Sequence, residues 1–128
     1  LVGTLGGLSL LDGDAVTASY TTANSGLRHN WISAIARDGE DWLVGTYGAG
    51  VMRFTRQGEW QEFPDWRGKG EVNPNAMAST PRAVYAGTLG QGIAIYSKES
   101  RRWTFSAAGL PSRNVTAIEP AGEYLYVG

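Results

Sequence analysis

Apolar and polar positions alternate in short runs along the whole chain, and no window of ten or more residues carries an apolar stripe at 3.6-residue spacing. The pattern predicts strands and essentially no helix. The clearest stretch has four runs, at about 32–37, 42–47, 50–55 and 59–63, each bounded by Gly, Asp, Pro or Ser. Asp38-Gly39-Glu40-Asp41 and Arg56-Gln57-Gly58 read as hairpin turns, because glycine takes a positive φ without steric cost. Gly48-Ala49-Gly50 and, one copy later, Gly90-Gln91-Gly92 occupy the remaining turn.

These runs repeat. Leu1-Val2-Gly3-Thr4 returns as Leu43-Val44-Gly45-Thr46, as Tyr85-Ala86-Gly87-Thr88 and as Tyr126-Val127-Gly128, so the glycines stand 42, 42 and 41 residues apart. Residues 26–45 overlie 109–128 without a gap, which puts Ile32, Ala34 and Ile35 on Val115, Ala117 and Ile118. A third copy over 68–87 is degenerate at its start but carries Ala76-Met77 at the same place. Val51-Met52-Arg53-Phe54 matches Ile93-Ala94-Ile95-Tyr96, and Trp60-Gln61-Glu62-Phe63 matches Trp103-Thr104-Phe105. Four antiparallel strands at a period near 42 describe one blade of a β-propeller. The expected fold is all-β: a propeller segment of about three 42-residue, four-stranded blades, with a partial blade over 1–26, blades over 27–67 and 68–109, and a partial blade over 110–128. Because the two partial units begin and finish within a strand, the sequence reads as part of a larger ring or as a protomer completed by other copies of the chain.

The string Gly109-Leu110-Pro111-Ser112-Arg113-Asn114-Val115-Thr116-Ala117-Ile118, followed by a turn and Tyr124-Leu125-Tyr126-Val127-Gly128, resembles the two-component regulator propeller repeat. Residues 41–54, with their Trp-Leu-Val-Gly-Thr core, resemble it as well. The likeness covers nearly the whole chain; Arg28-His29 departs from it in one copy and Glu71-Val72-Asn73-Pro74 in another. It implies the periplasmic or extracellular sensor part of a bacterial signalling protein, often one recognising carbohydrate.

Composition changes the picture mainly by exclusion. Eighteen glycines and 18% charged residues suit short strands and tight turns. Eleven Lys plus Arg against twelve Asp plus Glu leave a net charge of -1, which supplies no footprint for nucleic acid or an anionic membrane. No apolar run approaches the roughly 18 residues that span a bilayer. With no Cys, the chain is not a disulfide-built miniprotein.

In a propeller, the loops between blades and the turns between second and third strands share one face, where ligands gather. The candidate ligand-binding residues there are Arg28, His29 and Trp31 before one blade, Trp66, Arg67 and Lys69 before the next, Arg113 before the last, and Tyr47 and Gln91 in the turns. Trp42, Trp60 and Trp103 fall on repeated apolar positions and read as core. Trp31 and Trp66 break the repeat, either to stack on a ligand or to cover a blade edge. Arg28, Arg67, Lys69 and Arg113 form a set able to meet an anion, or are simply solvated. His29 is the only histidine, a side-chain type that changes charge between pH 5 and 8. Asp38, Glu40 and Asp41 belong to the opposite face. No nucleophile motif, phosphate loop, zinc ligand set or spaced calcium loop is present, so the expectation is a non-enzymatic binding module without metal or cofactor. Its competitor is a structural or lectin-like ring built from several copies.

Overall fold

The alternating pattern and glycine turns give thirteen strands in a computed structural model that describes residues 1–128. They are β1 (Val2–Thr4), β2 (Gly7–Asp12), β3 (Ala15–Tyr20), β4 (Ile32–Asp38), β5 (Asp41–Thr46), β6 (Val51–Phe54), β7 (Trp60–Glu62), β8 (Val72–Ser79), β9 (Ala83–Thr88), β10 (Ile93–Ser97), β11 (Arg102–Ser106), β12 (Ile118–Ala121) and β13 (Tyr124–Val127). Each strand pairs antiparallel with its sequence neighbour, giving four separate sheets: β1-β2-β3, β4-β5-β6-β7, β8-β9-β10-β11 and β12-β13. The fold is all-β, and the four runs expected over 32–63 coincide with β4 to β7 to within about a residue or two.

One short helical element departs from the expectation, a 3-10 turn over Pro64–Trp66. Pro64 opens it, where a fixed φ suits a helical start and the missing N–H costs nothing. A second irregularity lies in β8, whose pairing with β9 jumps between Val72 and Met77. Pro74 has no N–H for the ladder and Asn75 takes φ 57°, so this part of the repeat loses its pattern while keeping its strand.

Successive sheets pack face to face through their first strands: β4 touches β1 on one side and β8 on the other, and β8 touches β12. The second sheet is therefore buried on both faces, and its residues alternate between two cores. Val44, Met52 and Phe54 join Leu8, Leu27 and Ile32 on one side. Leu43 and Val51 join Trp66, Val72, Val84, Tyr96 and Trp103 on the other. Tyr20 packs edge-on against Phe54 at 4.8 Å, tying the first sheet to the second. Trp103 is buried, whereas Trp42 and Trp60 are half-buried against the first core.

Arg53 interrupts the apolar run of β6, and its side chain is only 4% exposed. It donates to Asp38 at 2.7 Å, to Asp41 at 3.1 Å and to the Tyr96 hydroxyl at 2.7 Å. Burial opposes its charge, yet the hydrogen bond that it donates to Asp38, the charge interactions with Tyr96 and Asp38, and the further bond to Asp41 hold the guanidinium pKa above its ordinary value. The acidic turn of the opposite face is thus the counter-charge of a buried arginine; Glu40 pairs with exposed Arg56 at 2.9 Å. Removing Asp38 leaves a buried guanidinium under-compensated, whereas removing Arg53 leaves two carboxylates that are partly exposed to water. Asp38→Ala is expected to destabilise by about 3 kcal/mol and Arg53→Met by about 1 kcal/mol. Urea unfolding of both variants checks the order, and a less stable Arg53→Met would contradict this account.

Candidate functional site

The repeated Gly-Thr dipeptide closes the turns after β1, β5 and β9. The Thr46 hydroxyl donates to the Gly50 carbonyl at 2.8 Å and accepts the Ala49 N–H at 2.8 Å. Thr88 does the same with Gly92 at 2.7 Å and Gln91 at 2.8 Å. A buried hydroxyl is thereby satisfied, and the turn is fixed without a fifth strand. The residue following each threonine, Leu5, Tyr47 or Leu89, is left at the rim.

Around Tyr47 the rim is built up further. The Tyr47 N–H donates to the Trp31 carbonyl at 3.0 Å, and the two rings lie 4.5 Å apart at 32°. Trp31 is 36% exposed. His29 accepts the Trp31 N–H on Nδ1 at 3.2 Å, and its ring lies so close over Gly48 that a side chain there would collide with it. Neutral His29 consequently carries its proton on Nε2. Asn73 and Asn114 occupy the equivalents of Trp31, and they bond to each other at 2.8 Å, so the aromatic pair occurs once.

The next segment curls over this rim. Trp66 donates to Phe63 at 3.0 Å, Arg67 to Pro64 at 3.0 Å and Lys69 to Trp66 at 2.9 Å, all through backbone N–H groups. The Gly50 N–H donates to the Gly70 carbonyl at 2.8 Å, and Tyr47 bridges Glu71. A Cβ on Gly70 would lie 2.8 Å from the Gly48 carbonyl oxygen, so glycine is required for the approach. The result is an open cleft of about 490 Å³, lined by Arg28, Arg67 and Lys69 together with Glu62 and Glu71, with Gly48 and Gly70 in its wall.

Sequence reasoning placed nine residues on this face, and the structure sorts them. Arg28, Trp66, Arg67 and Lys69 share the cleft, while His29, Trp31 and Tyr47 adjoin it through Gly48. Arg113 and Gln91 stand elsewhere, at the following turn, where the Gly92 N–H donates to the Arg113 carbonyl at 2.8 Å. The four cations therefore do not converge as one set. Trp66 also differs from a free stacking platform: it is 3% exposed and T-stacked on Trp103 at 5.3 Å and Phe105 at 4.8 Å. Its ring fills the space between the second and third sheets. Glu62 and Glu71 also line the cleft, and no spacing among the carboxylates in the sequence singles them out.

Charges in the cleft are unevenly used. Arg28 meets Glu62 at 3.8 Å with both side chains well exposed. Lys69 Nζ stands 4.9 Å over the Phe105 ring. None of the five ion pairs involves Arg67, Lys69 or Glu71. Behind the cleft, Asp65 latches the 3-10 turn to the third sheet. It accepts from Arg102 at 2.6 Å and from the Trp103 N–H at 3.0 Å.

No family model matches the chain, and no curated protein matches it.

The Arg102 hydrogen bonds, then the Trp103 N–H, lower the Asp65 pKa from 3.8 to about 2. A depressed carboxylate contributes stability that is complete above its unfolded pKa and lost as pH falls through the folded one. The Asp65 latch is expected to hold at pH 5 and to fail between about pH 4 and pH 2. Asp65→Ala is expected to cost about 2 kcal/mol at pH 7, chiefly through the unsatisfied Trp103 N–H, and to flatten the acid limb. Thermal unfolding of both proteins from pH 7 to pH 2 measures this; parallel acid limbs would remove Asp65 from the account.

Proposed function

We propose that the chain is a β-propeller-type array of successive blades and a non-enzymatic binding module, taking a ligand or partner through an anionic group in the Arg67–Lys69 cleft. Three antiparallel meanders and a hairpin, stacked through their first strands, support the blade reading. The observation that carries the binding reading is the cleft itself: two cations that form no direct ion pair, Arg67 and Lys69, line an open groove of about 490 Å³. Their backbone is held by the 3-10 turn and by the Gly50–Gly70 bond, so the charges are presented from a fixed segment. The sensor role that the family resemblance implies, on the periplasmic or extracellular side, is compatible with one such site.

A lectin-like ring would carry its binding residues in every blade. Here Trp31 has Asn73 and Asn114 as counterparts and Tyr47 has Leu89, which favours a single asymmetric site.

Citrate serves as the anionic probe. In an amide NMR titration at pH 7, shifts are expected to cluster at Arg28, Gly48, Arg67, Gly68 and Gly70. The double substitution Arg67→Ala and Lys69→Ala, with signal dispersion retained, is expected to weaken citrate by ten-fold or more, the scale of losing charge-assisted hydrogen bonds. Absent or scattered shifts, or unchanged affinity in the double variant, would remove the cleft from the function.

A further inference from the structure

The same cleft holds a carboxylate that the anion reading leaves unused. Glu71 is exposed, lines the cleft and takes part in none of the ion pairs. Its backbone bridges Tyr47 on one side and accepts the Leu89 N–H at 3.1 Å on the other. Gly70 is locked in turn to Gly50 at 2.8 Å and lies against Gly48. Lys69 and Glu71 are two residues apart, so their α-carbons are separated by at most about 7 Å. Two cations, Arg67 and Lys69, and a carboxylate, Glu71, none of them in a direct ion pair, therefore share one cleft wall.

A simple anion gains from Arg67 and Lys69 but is repelled by Glu71. A ligand carrying an ammonium group next to a carboxylate gains from both signs, and opposed charges reject ligands that lack either one. On this basis, and resting on the anion reading above, we propose that the cleft recognises a small zwitterion of the α-amino-acid type. The ligand carboxylate meets Arg67 and Lys69, and its ammonium group meets Glu71. Tyr47, whose ring stacks on Trp31, precedes Gly48 of the cleft wall and bridges Glu71, so an aromatic amino acid is the zwitterion with which to test the cleft.

Three probes separate the charges: L-phenylalanine, N-acetyl-L-phenylalanine, which lacks the ammonium, and L-phenylalaninamide, which lacks the carboxylate. By calorimetric or NMR titration at pH 7, L-phenylalanine is expected to bind the full chain at least about ten-fold more tightly than either blocked form. Glu71→Gln is expected to remove that advantage over the N-acetyl form without weakening the N-acetyl form. Equal affinity for L-phenylalanine and its N-acetyl form, or an undiminished preference in Glu71→Gln, overturns the zwitterion while leaving a citrate-binding cleft in place. Silence of all three probes where citrate binds also overturns it. Loss of citrate binding to the wild-type cleft marks the failure of the underlying anion reading instead.

Discussion

The absence of one atom governs how this chain packs. In β1, β5 and β9 a glycine stands where the next sheet arrives, and any side chain at that place would strike it. Gly3 faces Ile32 and Ile35, Gly45 faces Val72 and Met77 at 2.9 Å, and Gly87 faces Val115. Only a residue without Cβ lets two β surfaces approach this closely. The spacing of these glycines is consequently the spacing of the sheets themselves. Val72 and Val115 are buried because they fill the recesses so created, and the apolar residues on both faces of the second sheet follow from being enclosed on both sides.

The threonine after each glycine has a separate task. By closing its turn with its own hydroxyl, it lets the chain reverse at the rim without further secondary structure. The rim residues are then free to vary. Where Leu89 stands in one copy, Tyr47 stands in another, and the change recruits Trp31 and His29 into a local cluster. Rigid sheets carry the stability, and the rims differ from copy to copy. The Pro64–Lys69 segment joins the two roles: Trp66 and Asp65 anchor it inward, while Arg67 and Lys69 remain in the cleft.

Much of this was legible in the residues, for a definite reason. Strand positions followed from period-two alternation and glycine turns, and the repeat multiplied each signal by several copies. The sharing of one face by Arg28, His29, Trp31, Tyr47, Arg67 and Lys69 followed from simple meander topology. What escaped was decided by contacts between copies. Arg53 looked like an exception in an apolar strand, yet its partners come from the Asp38 and Asp41 turn and from Tyr96 on the adjacent sheet. Trp66 broke the repeat as Trp31 did, but one ring is buried against Trp103 and the other lies at the rim.

By itself the sequence determined that the chain is all-β, where its strands and turns lie, and that its units recur about every 42 residues. These properties depend on local sterics and on periodicity, which neighbouring residues carry. Tertiary structure alone decided which charges became internal partners and which stayed available, separating Arg53 and Asp65 from Arg67, Lys69 and Glu71. Coulomb and hydrogen-bond energies depend on distance and on exclusion of water, and both are set by residues that meet only when one sheet closes on the next.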